Sequence, residues 1–287
     1  MSKFSILTLI WMAIWLTDSK VYGETESQNI RKHLPQCIET GRKEMNNPYY
    51  LSEILFYLGR VGDDPRVSEF CFEIIEKSTN IASIIQAIWT LRAIENRVDK
   101  KTKEKTILIL KKVLNHKFIE VRLEAADRLF EMDCKEDVYP LYVNIIAQPD
   151  IEKKLDEEFR SQFEVELNSA LKSLAMIKDR VEKDGIVEFE EGMEIKRQEA
   201  EIEKIKLKIG NVEAYKSGAV TKSLKKLISY DDTETRKLVK RIVKEDTYVS
   251  SIISRAKKEV GSIKIKWAKE RGQKFLDDLF KYMGENK

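Results

Sequence analysis

Two stretches of the chain, 114 residues apart, repeat the same pattern of residues. One begins at Leu110 and reads LKKVLNHKFIEVR, and the other begins at Leu224 and reads LKKLISYDDTETR. The offset equals three periods of 38 residues, which is a typical length for stacked helical units. The segment Phe118–Ile146 fits one such unit. Because a unit of this size buries its apolar face only against its neighbours, the chain is predicted to fold as an array of helical pairs.

The composition also favours helices over strands. Charged residues make up 35% of the chain and apolar residues 42%, with only 11 glycines and 5 prolines, and this predicts an all-α fold. Pro65 follows the turn Gly62-Asp63-Asp64 and stands at a favoured first helical position. Helical pairs are predicted at 49–77, 80–114, 118–148 and 224–260, with a further first helix at Phe159–Ile177.

The pair at 118–148 resembles a HEAT repeat, in the short bacterial form related to phycobilin-lyase repeats. The residues that match are Val121, Arg122, Ala125, Ala126, Leu129, the turn residue Asp133 and the Val138-Tyr139-Pro140-Leu141 start of a second helix. The resemblance implies an α-solenoid of antiparallel helical hairpins wound into a right-handed superhelix. It also implies that Arg122 and Arg236 are structural residues that pair with acidic turn residues of adjacent repeats. At the second copy Val239-Lys240 replaces the alanine pair, so the resemblance does not extend to close helix packing there.

The middle of the chain departs from this period. Asp150–Glu158 is expected to be a linker, and 179–215 is too charged and too long for a plain hairpin. Within it, Met193–Ile209 spaces isoleucines at helical intervals among dense Glu and Lys. This pattern fits either a long exposed helix, inserted in the array, or an elongated repeat helix. The flanking regions are assigned as an N-terminal helix or cap at 24–48, HEAT-like repeats at 49–178, and a basic C-terminal repeat with a capping helix at 216–287.

The first residues predict export. Met1-Ser2-Lys3 supplies a positive end, Phe4–Leu16 is an apolar run of 13 residues, and Gly23 ends the flank that follows. This is the pattern of a secretory signal peptide, here 1–23, cleaved after Gly23. An uncleaved anchor is the weaker alternative, because about 20 apolar residues are needed to span a bilayer. The mature chain is therefore expected in a periplasm or outside the cell, with no transmembrane segment.

Three cysteines would remain after cleavage, at Cys37, Cys71 and Cys134. In an oxidising compartment an odd number leaves at least one thiol free or paired between chains. A Cys37–Cys71 bridge is one interpretation. Three half-buried thiols acting as small apolar groups is the favoured one, since a chain of this length needs no covalent staple.

The charges are unevenly distributed along the chain. Residues 24–215 carry 38 acidic and 31 basic side chains, whereas 216–287 carry 10 acidic and 19 basic ones. A basic end of this kind attracts anionic polymers or lipid head groups, although basic helix faces are more often simply solvated. Export disfavours nucleic acid as the partner. The candidate surface for an anionic partner comprises Lys222, Lys225, Lys226, Lys237, Lys240, Arg241 and Lys244.

The sequence offers little to support catalysis. His33 and His116 are the only histidines, and there is no HExxH, GxSxG or glycine-rich phosphate loop. Adjacent acidic pairs such as Glu157-Glu158 point about 100° apart on a helix and do not converge. We therefore expect no enzyme, no catalytic residues, no metal and no cofactor.

Two functions remain from this reasoning. The first is an exported helical-repeat scaffold that binds a protein or peptide partner, with Trp89 and Tyr142 as exposed anchors. The alternative is an envelope-associated module whose basic C-terminal end binds anionic lipid or polymer. For Ile263–Met283, a basic amphipathic helix lying on a membrane is weighed against a cap that closes the array, and the cap is favoured. The sequence leaves the oligomeric state open.

Overall fold

The structure is a computed structural model that describes residues 22–61, 64–184 and 189–284. Every regular element in these ranges is a helix, and helices account for 86% of the structure, so the predicted all-α class is confirmed. The chain divides into two compact units, one up to Lys112 and one from Val113 onwards. Of the predicted signal peptide, residues 1–21 lie outside the described residues, and the first described helix begins at Tyr22.

The first unit contains five helices within its described residues. They are α1 (Tyr22–Lys43), α2 (Pro48–Leu58), α3 (Pro65–Lys77), α4 (Ile81–Ile94) and α5 (Lys100–Val113), with short 3-10 turns at Gly59–Val61 and Glu95–Arg97. Helix α4 packs against both α2 and α3, and α1 packs against the same two helices. Leu55, Phe70 and Ile88 are almost completely buried in this unit. Its core therefore depends on contacts among four helices.

The start of α3 follows the predicted turn. Gly62 and Asp63 lie outside the described residues, but the Asp64 side chain accepts a hydrogen bond from the Arg66 backbone N–H at 3.0 Å, and Pro65 occupies the first turn. The Arg66 guanidinium in turn donates to both Asp64 carboxylate oxygens, at 2.9 and 2.7 Å. An N-cap of this kind satisfies backbone donors that would otherwise have no partner. Pro65 at the helix start is therefore confirmed.

The second unit contains eight helices within the described ranges. They are α6 (Ile119–Glu131), α7 (Lys135–Ala147), α8 (Ile151–Asp184), α9 (Phe189–Gly210), α10 (Val212–Leu227), α11 (Thr233–Glu245), α12 (Thr247–Ser262) and α13 (Lys266–Tyr282). Helix α10 is central, because it packs against α7, α8, α9, α11, α12 and α13. Among the described helices, none is long and apolar enough to cross a membrane.

The predicted linker at Asp150–Glu158 is wrong. Helix α8 begins at Ile151 and continues for 34 residues, about 51 Å at 1.5 Å per residue. Ile151, Leu155 and Phe159 are buried at intervals of four residues, so the segment has the apolar stripe of a packed helix. The surrounding Glu and Lys residues concealed this stripe in the sequence.

The helix predicted at Met193–Ile209 is present as α9, and it lies along α8. Ile202 and Ile205 of α9 are buried. Since α7 packs directly against α10, the α8–α9 pair is an excursion of the chain between two helices that are neighbours in space. The Tyr230 hydroxyl just after α10 donates to the backbone oxygen of Lys135 at 2.5 Å and helps to close this excursion.

Asp133 lies in the turn between α6 and α7, as the sequence predicts. Its backbone has φ of 62°, the left-handed conformation that commonly ends a helix. The Cys134 N–H bonds to the Leu129 carbonyl at 2.9 Å, and the Asp133 N–H bonds to that of Phe130 at 3.2 Å. Helix α7 then begins at Lys135 and contains Pro140 in its interior, so the predicted start at 138–141 is several residues late.

The echo at 110 and 224 has the same local structure in both places. Helix α5 ends at Val113 and α6 starts at Ile119, whereas α10 ends at Leu227 and α11 starts at Thr233. Both boundaries are therefore offset by the same 114 residues as the sequence pattern. The pair predicted at 224–260 differs from the structure, because Leu224 belongs to α10 and the two helices that follow it are α11 and α12.

The two arginines of the echo pair differently. The Arg122 guanidinium on α6 contacts the Glu158 carboxylate on α8 at 2.5 Å and also donates to the His116 carbonyl at 3.1 Å. The acidic partner thus lies on α8, the helix after the α6–α7 pair, and not in a turn. The Arg236 guanidinium pairs at 3.0 Å with Asp231 in the turn just before its own helix. Ala125, Ala126 and Leu129 are completely buried on α6, where they pack.

Cys37, Cys71 and Cys134 form no disulfide bond with one another in the structure. Cys71 is buried, whereas Cys37 and Cys134 are partly exposed. Burial raises the pKa of the Cys71 thiol well above its ordinary value, and it also raises the pKa of Cys37. Both thiols therefore stay protonated and act as small apolar groups.

Candidate functional site

A groove of about 990 Å³ runs along α10 in the second unit. Its walls come from α6 and α12, and its floor is formed by the small residues Ala214, Ser217, Gly218 and Thr221. A Cβ atom placed at Gly218 would meet no heavy atom within 4 Å. Packing therefore does not require glycine at this point of the helix, although glycine in a helix interior costs roughly 0.5–1 kcal/mol relative to alanine.

The two faces of α10 explain why the groove is open. One face buries Val212, Lys216, Val220, Leu224 and Leu227 at intervals of three and four residues. The small residues of the floor have the same spacing on the other face. Small side chains there leave the backbone of α10 accessible between α6 and α12, and this creates a trough along the helix.

The C-terminal end of the groove is basic. Lys222 and Lys226 lie in its wall and pair with the Asp127 carboxylate of α6, at 2.8 and 3.5 Å. The Lys226 ammonium also lies 4.3 Å from the ring centroid of Phe130. Lys225, which is exposed, lines the same end. Lys222 also lies 3.7 Å from the Glu124 carboxylate, so this end has three cations against two carboxylates and carries a net positive charge.

Tyr142 stands beneath this end and is not an exposed anchor, so that prediction is wrong. The side chain is completely buried, and its hydroxyl donates to the Asp127 carboxylate at 3.1 Å. Burial raises the pKa of Tyr142 strongly, and the negative charge of Asp127 adds to the shift. The tyrosine therefore fixes the carboxylate that holds Lys222 and Lys226.

The other end of the groove is held by ion pairs around Glu213. The Glu213 carboxylate accepts from the Arg255 guanidinium of α12 at 2.5 Å and pairs with the Lys216 ammonium at 2.9 Å. Burial and the hydrogen bonds from these two cations act in opposite directions on the pKa of Glu213, and the net effect is to lower it. Glu259 lies one helical turn beyond Arg255 and also lines this end. Among the side chains that line this end of the groove, the carboxylates of Glu213 and Glu259 outnumber the guanidinium of Arg255, so this end of the lining is acidic.

Lys216 is the buried member of this cluster. Only 5% of the residue is exposed, and its ammonium lies 2.9 Å from Glu213, 3.4 Å from Asp156 and 3.7 Å from Glu152. Burial alone would lower the pKa of Lys216, but Glu213 and Asp156 outweigh it and raise the pKa. Lys216 thereby joins α10 to α8 through charge.

The predicted surface for an anionic partner is divided between two helices. Lys222, Lys225 and Lys226 come together at the groove. The other four side chains, Lys237, Lys240, Arg241 and Lys244, are exposed on α11 and do not line it. Lys237 pairs with Glu234 at 2.9 Å on the same helix, an exposed contact that contributes little.

A second buried polar network ties α6 to α8 and α9. The Gln162 side-chain amide on α8 is fully buried and donates to two carboxylates, Glu120 of α6 and Glu166 of α8. The Lys208 ammonium of α9 pairs with Glu166 at 2.8 Å. Burial raises the pKa of Glu120, and the nearby negative charge of Glu166 adds to this. The positive charges of Lys208 and Lys222 offset only part of this effect, so the Glu120 carboxylate is incompletely compensated.

Glu120→Gln is expected to raise the free energy of unfolding by about 1 kcal/mol near pH 7. The folded-state pKa of Glu120 lies above its unfolded value, so ionisation of this carboxyl destabilises the folded state. The amide oxygen of Gln can still accept from Gln162, so the hydrogen bond survives. The gain should fall towards zero below about pH 4, where the wild-type carboxyl is protonated in both states.

Urea denaturation across this pH range would measure the effect. Glu166→Gln is the matched control. That change removes the carboxylate closest to Lys208 and should lower the stability. A Glu120→Gln variant that is less stable than the wild type near neutral pH would contradict the assignment.

In comparisons with known proteins, no protein-family model, curated protein or solved structure matches the chain. Among the described residues, no group of three or more His, Cys, Asp or Glu side chains is arranged to hold a metal ion. His116 serves the turn before α6, where its Nδ1 accepts from the Phe118 N–H at 3.2 Å.

Sequence reasoning missed the floor of the groove and the role of Lys216. The floor does leave a signal, since small residues recur at Ala214, Gly218 and Thr221 on one helical face. No local sequence pattern indicates the role of Lys216, because two of its partners lie about 60 positions earlier in the chain, in the segment predicted to be a linker.

Proposed function

We propose that the chain is an exported helical-repeat scaffold that binds a helical segment of a protein partner in the groove along α10. The groove carries this proposal. It combines an open floor of small residues with ion-paired walls on α6 and α12. Its floor extends along a helix of 16 residues, about 24 Å, which would accommodate several turns of a partner helix.

The chemistry of the lining favours a particular orientation of the partner. The floor is small enough for the close approach of a second helix, whose ridges would fit the trough. The end near Lys225 is basic, whereas the end near Glu259 is acidic. A partner helix with acidic residues at one end and basic residues at the other would match both.

The HEAT-like solenoid and the export route belong to the same proposal. The repeated helix boundaries at α5–α6 and α10–α11 support a repeating architecture. Arg122 is consistent with it, since this residue links its own helical pair to the helix that follows. The residues at 1–23 support export through their sequence alone.

The test uses two synthetic alanine-rich helical peptides, each with a fluorescent label. One carries glutamates at one end and lysines at the other, and the second carries the same residues alternating along its length, so that both have the same net charge. Fluorescence anisotropy with the full chain should show binding of one peptide about tenfold tighter than the other. Equal affinities, or no binding of either peptide, would contradict the proposal.

A change at the groove floor provides the structural control. Gly218→Trp fills the trough and should weaken binding of the better peptide at least about tenfold. Gly218→Ala adds one methyl group in open space and should leave the affinity nearly unchanged. Lys240→Trp, on the exposed face of α11, controls for the addition of a surface tryptophan. Binding that survives Gly218→Trp would place the peptide elsewhere.

A further inference from the structure

The corner where α12 meets α13 exposes two large apolar side chains. Ile265 is 56% exposed and Trp267 is 62% exposed. They belong to the connection and the first turn of α13, beyond the end of α12 at Ser262. We call residues 257–274 the basic corner.

The packing of α13 determines why Trp267 is exposed. The inward face of α13 carries Gly272, Leu276 and Leu279, and the two leucines are buried. A Cβ atom at Gly272 would lie 2.7 Å from a methyl carbon of Val260, so α12 and α13 approach closely here. Trp267 is nine residues before Leu276, and at 100° per residue this places it on the opposite side of the helix. The C-terminal half of α13 therefore packs as a cap would, while its first turn presents Trp267 outward.

The same corner is strongly basic. Between Lys257 and Lys274 there are seven basic and two acidic residues. Of the acidic ones, Glu270 lies 3.9 Å from the Lys266 ammonium, and both side chains are exposed. Such an exposed pair neutralises little in solution. Arg271 stacks near Trp267, with 5.5 Å between the guanidinium carbon and the ring centroid.

We propose that the basic corner binds the surface of an anionic phospholipid membrane. Trp267 and Ile265 would enter the boundary between head groups and acyl chains, where tryptophan is favoured. The surrounding cations would face the lipid phosphates, and each basic side chain near the surface adds about a fivefold gain in affinity. A soluble polyanion would match the charge but would leave the two apolar side chains in water, so a membrane accounts for both features.

Contact with the membrane would be peripheral. Leu276 and Leu279 already hold α13 against the body of the unit, so the first turn can enter the interface while the helix stays packed. This surface differs from the groove along α10, and the inference does not depend on the proposed function.

The experiment measures co-sedimentation of the full chain with vesicles of phosphatidylcholine, with and without phosphatidylglycerol. Hydroxyl-radical footprinting of Trp267 provides a local readout. We expect anionic vesicles to bind the chain and to lower the oxidation of Trp267, whereas pure phosphatidylcholine does neither. The triple variant Lys264→Glu, Arg271→Glu and Lys274→Glu should bind at least about a hundredfold more weakly. Trp267→Ala should cost about tenfold.

The matched control reverses three charges elsewhere in the same unit, with Lys237→Glu, Lys240→Glu and Arg241→Glu on α11. It has the same net charge as the corner variant and should keep most of the binding. An equal loss in both triple variants would overturn the proposal, because net charge alone would then explain binding. Vesicle binding that leaves Trp267 fully reactive would place the contact elsewhere and would also overturn it. So would binding of polyphosphate without any binding of anionic vesicles.

Discussion

The Lys216→Met variant is expected to lose about 2–3 kcal/mol of unfolding free energy. Removing one partner of a buried ion pair costs about 3–5 kcal/mol when the remaining charge is left buried. The cost should be smaller here, because Asp156 retains Arg160 and Glu213 retains Arg255. Methionine keeps the volume of the aliphatic stem, so the loss reports on the charge. Urea denaturation, followed by circular dichroism, would measure it.

The pH dependence of the stability difference between wild type and Lys216→Met tests the prediction in a second way. The pKa of Lys216 is raised above its ordinary value of 10.5. Its contribution is therefore fully present below that value and is lost as the pH rises through the folded-state pKa. The pKa of Asp156 is lowered, chiefly by its hydrogen bond with Arg160. The stabilisation from the ionised Asp156 carboxylate is therefore lost as the pH falls through its folded-state pKa. The difference between wild type and variant should be flat near neutral pH and shrink towards both extremes.

Lys153→Met is the control for the lysine charge itself. Lys153 is exposed on α8 and lies 3.9 Å from Glu157, so its replacement should change the stability by less than about 0.5 kcal/mol. A similar loss in both variants would show that surface charge, and not the buried cluster, determines the effect. No loss at Lys216 would show that the three carboxylates do not stabilise it.

These clusters explain how the groove along α10 keeps its shape. Asp127 holds Lys222 and Lys226 at one end, while Glu213 holds Arg255 at the other. The walls on α6 and α12 are thus joined to α10 by charged contacts on either side of a floor that has no large side chains. A partner helix would enter a trough that is already formed, which reduces the entropy cost of binding.

The predictable part of the structure rests on local patterns. The turn at Asp64-Pro65 follows from adjacent residues, and the structure has it. The sequence echo at 110 and 224 corresponds to equivalent helix boundaries, although the helical pair predicted at 224–260 is not the one observed. Long-range contacts determine the rest. The sequence predicts Tyr142 to be exposed, but its side chain is buried and its hydroxyl donates to Asp127 on the preceding helix.

The middle of the chain shows the same limit. Ile151 and Leu155 form a clear stripe once α10 is known to pack against α8, but in the sequence they are separated by lysines and acids. Further along, the sequence predicts helices at Phe159–Ile177 and Met193–Ile209, which lie within α8 and α9, and the second prediction rests on isoleucine spacing. The basic C-terminal region was identified from charge alone, and only packing separates its groove residues from those on α11.

Gly41→Ala is expected to destabilise the first unit by about 2 kcal/mol. A Cβ atom at this position would lie 2.5 Å from Cζ and 2.9 Å from Cε1 of the Phe70 ring. The ring is almost completely buried on α3, so it has little room to move, and overpacking of this kind costs about 1–3 kcal/mol. Alanine favours a helix over glycine by up to about 1 kcal/mol, which offsets only part of the loss. Thermal denaturation would measure the difference.

The cause can be isolated with a compensating change. Phe70→Leu removes the ring atoms that meet the new methyl group, and alone it should also destabilise the unit by leaving a cavity. The double variant should lose less stability than the sum of the losses in the two single variants, with a coupling free energy of at least about 1 kcal/mol. Gly218→Ala, where the methyl group enters open space, should instead gain up to about 1 kcal/mol. If Gly41→Ala and Gly218→Ala change stability in the same direction, close approach of α1 to Phe70 does not explain the glycine at position 41.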